Sequence, residues 1–198
     1  MTRDAFQSTW DAVRALCSGN PALSAFAEMP EMLEGRDLPA QDIPASQLFR
    51  TDKAAVSAGT LSVLQAAKAL TRSAHWLRHY TEDQVGADFM ARYGFFELAG
   101  PDGHLDWSDH RAFFAYWGPG LHYDWHHHAA EELYIVLSGE AEFHVDGLPT
   151  RTLSPGEAIH HASHQSHALT TRDRSVTTLV LWRGEIGAKD LTMGSIAA

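Results

Sequence analysis

The chain has 198 residues, enough for one domain with an added segment but not for two large domains. Hydrophobic residues make up 44% and charged residues 20%, a composition typical of a soluble globular protein. The formal net charge is −10, and no basic patch is available to meet phosphates. The charge therefore disfavours nucleic acid or an anionic membrane as the main partner.

The cysteine content and the first residues of the chain indicate the cellular compartment in which the protein is expected. Cys17 is the only cysteine, so an internal disulfide and a cysteine-rich zinc site are both excluded. The first residues, MTRDAFQSTWDAV, are polar and amphipathic and lack the apolar stretch of a signal peptide. No apolar run approaches membrane-spanning length. We therefore expect a cytoplasmic protein.

The first half of the chain has a helical pattern without a motif of its own. Apolar spacing predicts helices over residues 2–16, 22–33, 54–70, 73–80 and 83–93. The turn-rich residues 35–44 form a connector. We expect residues 1–100 to be a helical region that packs on the second half and contributes no metal ligand.

The pattern changes at the turn Gly100-Pro101-Asp102-Gly103. Beyond it, short runs of β-forming residues alternate with turns. These runs cover residues 111–117, 122–128, 132–137, 140–145, 157–161 and 175–182. Strands of this length and spacing predict an antiparallel barrel or sandwich over residues 101–198, so the chain as a whole is mainly β with a helical N-terminal region.

Histidines are concentrated in the β-rich half, where nine of the 13 fall between His122 and His167. Such a density suggests metal or proton chemistry. Side chains two residues apart on a strand share a face, so His126 and His128 point the same way, and Glu132 and Tyr134 keep that parity. Gly139 lies where a hairpin turn would reverse the chain.

These spacings resemble the cupin superfamily. The first cupin motif, G-x5-H-x-H-x3-E-x6-G, is matched by Gly120, His126, His128, Glu132 and Gly139. The second is matched by Pro155, Gly156 and His167, but it lacks the usual downstream asparagine and has His160-His161 where prolines are frequent. The resemblance implies a jelly-roll-like β-barrel holding one divalent metal ion on His126, His128, Glu132 and His167.

Three imidazoles and one carboxylate suit zinc, Fe(II) or manganese and leave coordination positions for a substrate. His127 has the opposite strand parity and is expected on the exterior. We interpret His160, His161 and His164 as loop residues rather than ligands.

Within the superfamily, the chain most resembles the dimethylsulfoniopropionate (DMSP) lyases, in particular the DddQ type. The H-x-H-x3-E-x-Y pattern ending at Tyr134, the long helical first half, Tyr123 and Trp182 carry this resemblance. It implies cleavage of DMSP, a small zwitterionic sulfonium substrate, to dimethyl sulfide, acrylate and a proton. The oligomeric state is expected to be monomer or homodimer.

The residues near the motifs are compatible with such a substrate. Arg151 is the only lysine or arginine between Phe113 and His167, so a carboxylate would most naturally bind the metal. A sulfonium could lie against the aromatic faces of Tyr123, Trp125, Tyr134 and Trp182, although Trp125 has the parity of an exterior or edge position. Tyr134 is the first candidate for the base that removes the α-proton, and Tyr123 the second. Simple core packing stays open for Tyr134 and Trp182.

Two other functions share the same ligands. One is another metal-dependent cupin enzyme, an Fe(II) dioxygenase or an isomerase, which needs no basic tyrosine. The other is a non-enzymatic small-molecule-binding cupin, such as a sensor or storage protein. A requirement for O₂ would separate a dioxygenase from a lyase, whereas a sensor would normally carry an output element, and no basic recognition helix is predicted in the first half.

Overall fold

The computed structural model describes residues 2–187 and 192–193. The helices in these residues are α1 (Thr2–Ser18), α2 (Pro21–Phe26), α3 (Pro44–Thr51), α4 (Leu61–Leu70), α5 (Glu82–Val85) and α6 (Ala87–Arg92). The strands are β1 (Glu34–Gly35), β2 (Trp76–Leu77), β3 (Tyr93–Ala99), β4 (Leu105–Asp106), β5 (His110–Trp117), β6 (His122–His127), β7 (Glu131–Gly139), β8 (Ala141–Val145), β9 (Arg151–Leu153), β10 (Ala158–His161), β11 (His167–Thr170), β12 (Val176–Arg183) and β13 (Thr192–Met193).

The strands form two sheets. The larger has the order β1-β4-β3-β5-β12-β7-β10, with β2 paired to β3, and the smaller has the order β13-β6-β11-β8-β9. Neighbouring strands are antiparallel except β3 and β4. The predicted mainly β, cupin-type fold with a helical N-terminal region is confirmed. It takes the form of two facing sheets, and no hydrogen-bonded ladder within the described ranges joins them into a closed barrel.

Alternation along the strands divides the core into two apolar layers. Tyr134 and Val136 of β7 pack in the layer between the sheets, together with Phe143 of β8 and Leu169 of β11. The intervening β7 residues, such as Ile135, belong instead to the layer shared with the N-terminal helices. This is the period of two expected for a strand covered on both faces. Helices α1 to α4 therefore pack on the outer face of the large sheet, whereas Phe89 of α6 belongs to the layer between the sheets.

Several predicted helices differ from the structure. The helix predicted over residues 54–70 begins only at Leu61, and the one predicted over 73–80 is replaced by strand β2, which pairs with β3. The segment 83–93 forms two helices separated at Gly86, whose φ of +83° is incompatible with a continuous helix. Strand β3 precedes residue 100, so the β structure begins earlier than predicted. Val56 forms a bridge with Ser138, and β2 pairs with β3, which pairs in turn with β5; such long-range pairing overrides local propensity.

Gly139 has the left-handed conformation that favours glycine, with a φ of +74°. It does not form the predicted hairpin, because β7 and the following β8 belong to different sheets. The chain crosses here from the large sheet to the small one. No helix in the part of the chain that the structure describes is long and apolar enough to cross a bilayer.

Candidate metal centre

Three predicted ligands meet in the layer between the sheets. The ligand atoms of His128, Glu132 and His167 all lie within 4.8 Å of one another, and the three side chains are buried. Glu132 Oε2 lies 3.4 Å from His128 Nε2 and 3.1 Å from His167 Nε2. Glu132 belongs to the large sheet and His167 to the small one, while His128 follows β6. The cluster therefore bridges the two sheets.

The histidines of this cluster are oriented by backbone carbonyls. His128 Nδ1 lies 2.9 Å from the Ala130 oxygen, and His167 Nδ1 lies 2.8 Å from the Gln165 oxygen. Because a carbonyl only accepts, each Nδ1 donates, and in the neutral ring each Nε2 keeps its lone pair. Both Nε2 atoms are buried without a hydrogen-bond partner. Fixed tautomers with inward-facing free Nε2 atoms are what a metal ion requires of histidine ligands, so these residues fit one.

His126, the fourth predicted ligand, lies beside this group but is not part of the set that meets within 4.8 Å. It pairs in register with His167 across β6 and β11, and their ring centroids are 4.1 Å apart. Its Nδ1 lies 2.8 Å from the Asp124 oxygen, the same type of contact as in the other two histidines. Its coordination of the metal stays a prediction.

The charges in the cluster are strongly coupled. Burial opposes ionisation of Glu132, but the positive charge that His128 carries when it is protonated and the hydrogen bond with His161 outweigh burial and hold the pKa of Glu132 well below its usual value. Burial also acts against protonation of His128, whose pKa is nevertheless raised by the Glu132 charge. Burial, reinforced by His167, lowers the pKa of His126 far below its usual value. The site thus holds an ionised carboxylate and a neutral His126, the forms that bind metal.

His161 is a site residue that the sequence interpretation missed. It was expected in a loop, but it is the last residue of β10, is 1% exposed, and lies opposite Glu132 in the β10–β7 register. Its Nδ1 lies 2.9 Å from Glu132 Oε2. Ile159 and His161 are two residues apart in the run 157–161 and therefore share a face of the strand. The apolar Ile159 was the available signal that this face is buried. The register that places His161 opposite Glu132 could not be inferred from the sequence.

Both candidate tyrosines are buried. The hydroxyl of Tyr123 lies 2.6 Å from that of Tyr80, and its ring stacks on His126 at 4.1 Å. Tyr134 lies two residues after Glu132 on β7, and its ring lies 5.3 Å from that of His161 in an edge-to-face arrangement. Burial raises the pKa of Tyr134 well above its usual value, and the negative charge of Glu132 raises it further. Burial likewise raises the pKa of Tyr123, so both phenols are neutral without a cation nearby.

These tyrosines line a cavity of about 30 Å³ against the cluster. The cavity is lined by His79, Tyr93, Phe95, Phe113, Ala115, Trp117, Tyr123, His126, His128, Glu132, Tyr134, Val180 and Trp182. Three of these residues precede residue 100, so the N-terminal segment supplies cavity wall, although none of them belongs to the described ligand group. Trp125, with its exterior parity, is not part of the wall. Trp182 is part of the wall, and its indole Nε1 donates to Glu132 Oε1 at 2.6 Å.

A wider outer pocket of about 300 Å³ shares the walls formed by His79, Phe95, Phe113 and Trp182 with this cavity. A still larger pocket, of about 490 Å³, is lined by residues such as Arg36 and Arg72 and contains none of the predicted site residues. Volume alone therefore does not identify the functional site. The convergence of buried polar groups and aromatic walls makes the inner cavity the candidate site.

Known proteins match this chain over most of its length. The family model for dimethylsulfoniopropionate lyases matches residues 21–178. The dimethylsulfoniopropionate lyase DddQ of Ruegeria pomeroyi is 36% identical over 185 residues, which cover 93% of this chain and 92% of the relative. A crystal structure of this DddQ has a TM-score of 0.87 at 35% identity, covering 93% of this chain and 94% of the other. Another, described with the DMSP lyases RdDddP and RnDddQII, has a TM-score of 0.94 at 39% identity and covers 98% and 100% of the two chains. The chain belongs to the dimethylsulfoniopropionate lyase family.

Proposed function

We propose that this chain cleaves DMSP to dimethyl sulfide and acrylate by β-elimination, in the cavity between its two sheets. The observation that carries the proposal is the position of Tyr134. It lies two residues after the buried carboxylate of Glu132 and lines the same aromatic cavity as the histidines. A base, an anion-binding centre and aromatic walls are the three parts that elimination from a sulfonium carboxylate needs.

His128, Glu132 and His167 would hold one divalent metal ion, with His126 as the fourth predicted ligand. Their free Nε2 atoms and ionised carboxylate support this assignment. When bound, the ion supplies positive charge that attracts the substrate carboxylate and favours ionisation of a nearby phenol. Nitrogen and carboxylate ligands are compatible with zinc, Fe(II) and manganese.

The walls of the cavity are suited to the sulfonium end of the substrate. No lysine or arginine is among the described residues that line the inner cavity. The faces of Tyr123, Tyr134 and Trp182 are the proposed contacts, since aromatic faces attract desolvated cations. A volume of about 30 Å³ holds only one or two water molecules, so wall side chains must move when the substrate enters.

Tyr134 is the proposed general base. As a phenolate it takes the α-proton, the electrons of the broken C–H bond form the double bond of acrylate, and the bond from the β-carbon to sulfur breaks to release neutral dimethyl sulfide. The proton that leaves the substrate then resides on the Tyr134 oxygen until solvent removes it. Tyr123 is the weaker candidate because its hydroxyl is already hydrogen-bonded to that of Tyr80.

The proposal is tested by incubating the purified protein with DMSP and following headspace dimethyl sulfide by gas chromatography. Release of dimethyl sulfide in air and equally under argon supports a lyase, whereas release only in air supports an Fe(II) dioxygenase. A metal-replete protein that releases none contradicts the proposed substrate.

A further inference from the structure

The carboxylate of Glu132 is held from both sides by the strands that flank β7. In the β10–β7 register Glu132 lies opposite His161, and in the β12–β7 register it lies opposite Trp182. Directly opposed residues on neighbouring strands bring their side chains into contact on the same face. The pairing of three strands thus places two hydrogen-bond donors beside one carboxylate.

The two donors bind different oxygens. His161 Nδ1 lies 2.9 Å from Oε2, and Trp182 Nε1 lies 2.6 Å from Oε1. An indole N–H only donates, and an ionised carboxylate only accepts, so both contacts have a fixed direction. With each oxygen engaged by a different strand, the carboxylate cannot rotate without breaking one of the bonds.

The same two side chains also cover the histidine ligands. The ring of His161 stacks on that of His167, with centroids 4.0 Å apart and an interplanar angle of 12°. The ring of Trp182 packs on that of His128 at 4.4 Å. Each donor therefore contacts Glu132 and one histidine, so the pair contacts all three residues of the group His128, Glu132 and His167.

We propose that His161 and Trp182 are positioning residues that orient Glu132 for metal binding and thereby set the metal affinity of the site. The inference rests on the proposed metal-dependent function. It also gives Trp182 a role besides the sulfonium contact, through the nitrogen edge of its ring rather than the face. Partners that orient metal ligands typically contribute about 10- to 100-fold in metal affinity.

The test measures the dissociation constant of Zn²⁺ alone, by competition with a chromophoric chelator, on metal-free protein. Trp182→Phe keeps the aromatic ring but removes the N–H donor, and His161→Leu removes the other donor. His161→Asn retains an N–H close to the position of Nδ1. Matched controls are His160→Leu, because the neighbouring His160 contacts Glu131 instead of Glu132, and Trp125→Phe, because Trp125 is not part of the cavity wall.

Trp182→Phe and His161→Leu are each expected to raise the zinc dissociation constant by about 10- to 100-fold, with His161→Asn closer to the unsubstituted protein and the controls unchanged. Metal-free Trp182→Phe should still unfold cooperatively, which shows that a weaker affinity for zinc is not caused by loss of the fold. An unchanged dissociation constant in Trp182→Phe and in the His161 variants overturns the inference. If His161→Leu does not fold, an unchanged zinc dissociation constant in Trp182→Phe is sufficient to overturn the inference.

Dimethyl sulfide release by the unsubstituted protein separates the two proposals. If it binds zinc and the variants weaken that binding, the positioning role stands even when DMSP is not cleaved. If it cleaves DMSP and the variants bind zinc normally, the lyase proposal stands and the positioning role fails. If it binds no zinc, the metal centre and the positioning role both fail.

Discussion

Tyr134 is the proposed base and is not one of the predicted metal ligands. Tyr134→Phe keeps the ring and its packing between Trp117 and Phe143 and removes the phenolic oxygen. Because a general base contributes about 10²–10⁴-fold, kcat for dimethyl sulfide release should fall by that factor while metal content stays unchanged. Steady-state kinetics with metal analysis on the same sample checks both.

Tyr123→Phe is the matched comparison. It removes a hydroxyl that bonds to Tyr80 and should have the smaller effect on kcat. If Tyr123→Phe loses turnover while Tyr134→Phe retains it, Tyr123 is the base and Tyr134 is not.

Glu97 gives a prediction about pH. Burial raises its pKa to about 7, although Arg111, which donates to its Oε2 at 2.8 Å, acts in the opposite direction. Between the unfolded and folded pKa values the folded protein keeps the proton that the unfolded chain loses, so rising pH favours unfolding. The free energy of unfolding should therefore fall between about pH 4.5 and pH 7 more steeply in the unsubstituted protein than in Glu97→Gln. Urea denaturation at several pH values measures this, and parallel pH profiles would contradict it.

At the residue scale, the sequence was informative where a motif fixes spacing. It placed His128, Glu132 and His167 in one proposed site, and the structure brings their ligand atoms together. It could not find His161 or assign the nitrogen of Trp182 to Glu132, because both contacts depend on the registers of β10 and β12 against β7. Register is a long-range property set by pairing, and strand parity alone does not define it.

At the scale of elements, the crossing from β7 to β8 depends on Gly139. A Cβ atom there would lie 1.8 Å from the Ser175 carbonyl oxygen, and the φ of +74° is unfavourable for other residues. Gly139→Ala should therefore lower the free energy of unfolding by more than the roughly 1–2 kcal/mol of a left-handed alanine, because the Ser175 backbone must also move.

Gly147→Ala is the matched control, since Gly147 has a φ of +79° but open space around its added Cβ. The free energy of unfolding of Gly147→Ala should fall only by the cost of placing alanine in the left-handed conformation. Chemical denaturation of both variants measures the difference. Equal losses of stability would show that the close approach to Ser175 is not a constraint.

The strands were predicted better than the helices, for a physical reason. Strands β5 and β12 formed from runs that are rich in valine, threonine and aromatic residues. Their side chains point alternately to the two buried faces of the sheet, so local propensity and tertiary packing agree. The segments 54–60 and 73–80 have apolar spacing compatible with a helix, but Val56 bridges to Ser138 and Trp76 pairs with Phe96. Contacts with distant strands determined the conformation of both segments.

For the whole molecule, the central feature is a ligand group shared by the two sheets. Glu132 lies on the large sheet and His167 on the small one, and the aromatic cavity lies between them. Ligands that come from separate elements couple metal binding to the folded arrangement. The proposed chemistry, the positioning of Glu132 and the packing of the sheets therefore depend on the same centre.

The most direct test of this account is a titration of the metal-free protein with Zn²⁺, Fe(II) or Mn²⁺ while dimethyl sulfide and acrylate are both quantified. We expect no turnover without metal, a linear rise to saturation at one ion per chain, and equal amounts of the two products. Full turnover in protein shown to contain no metal, or a product other than acrylate, would contradict it.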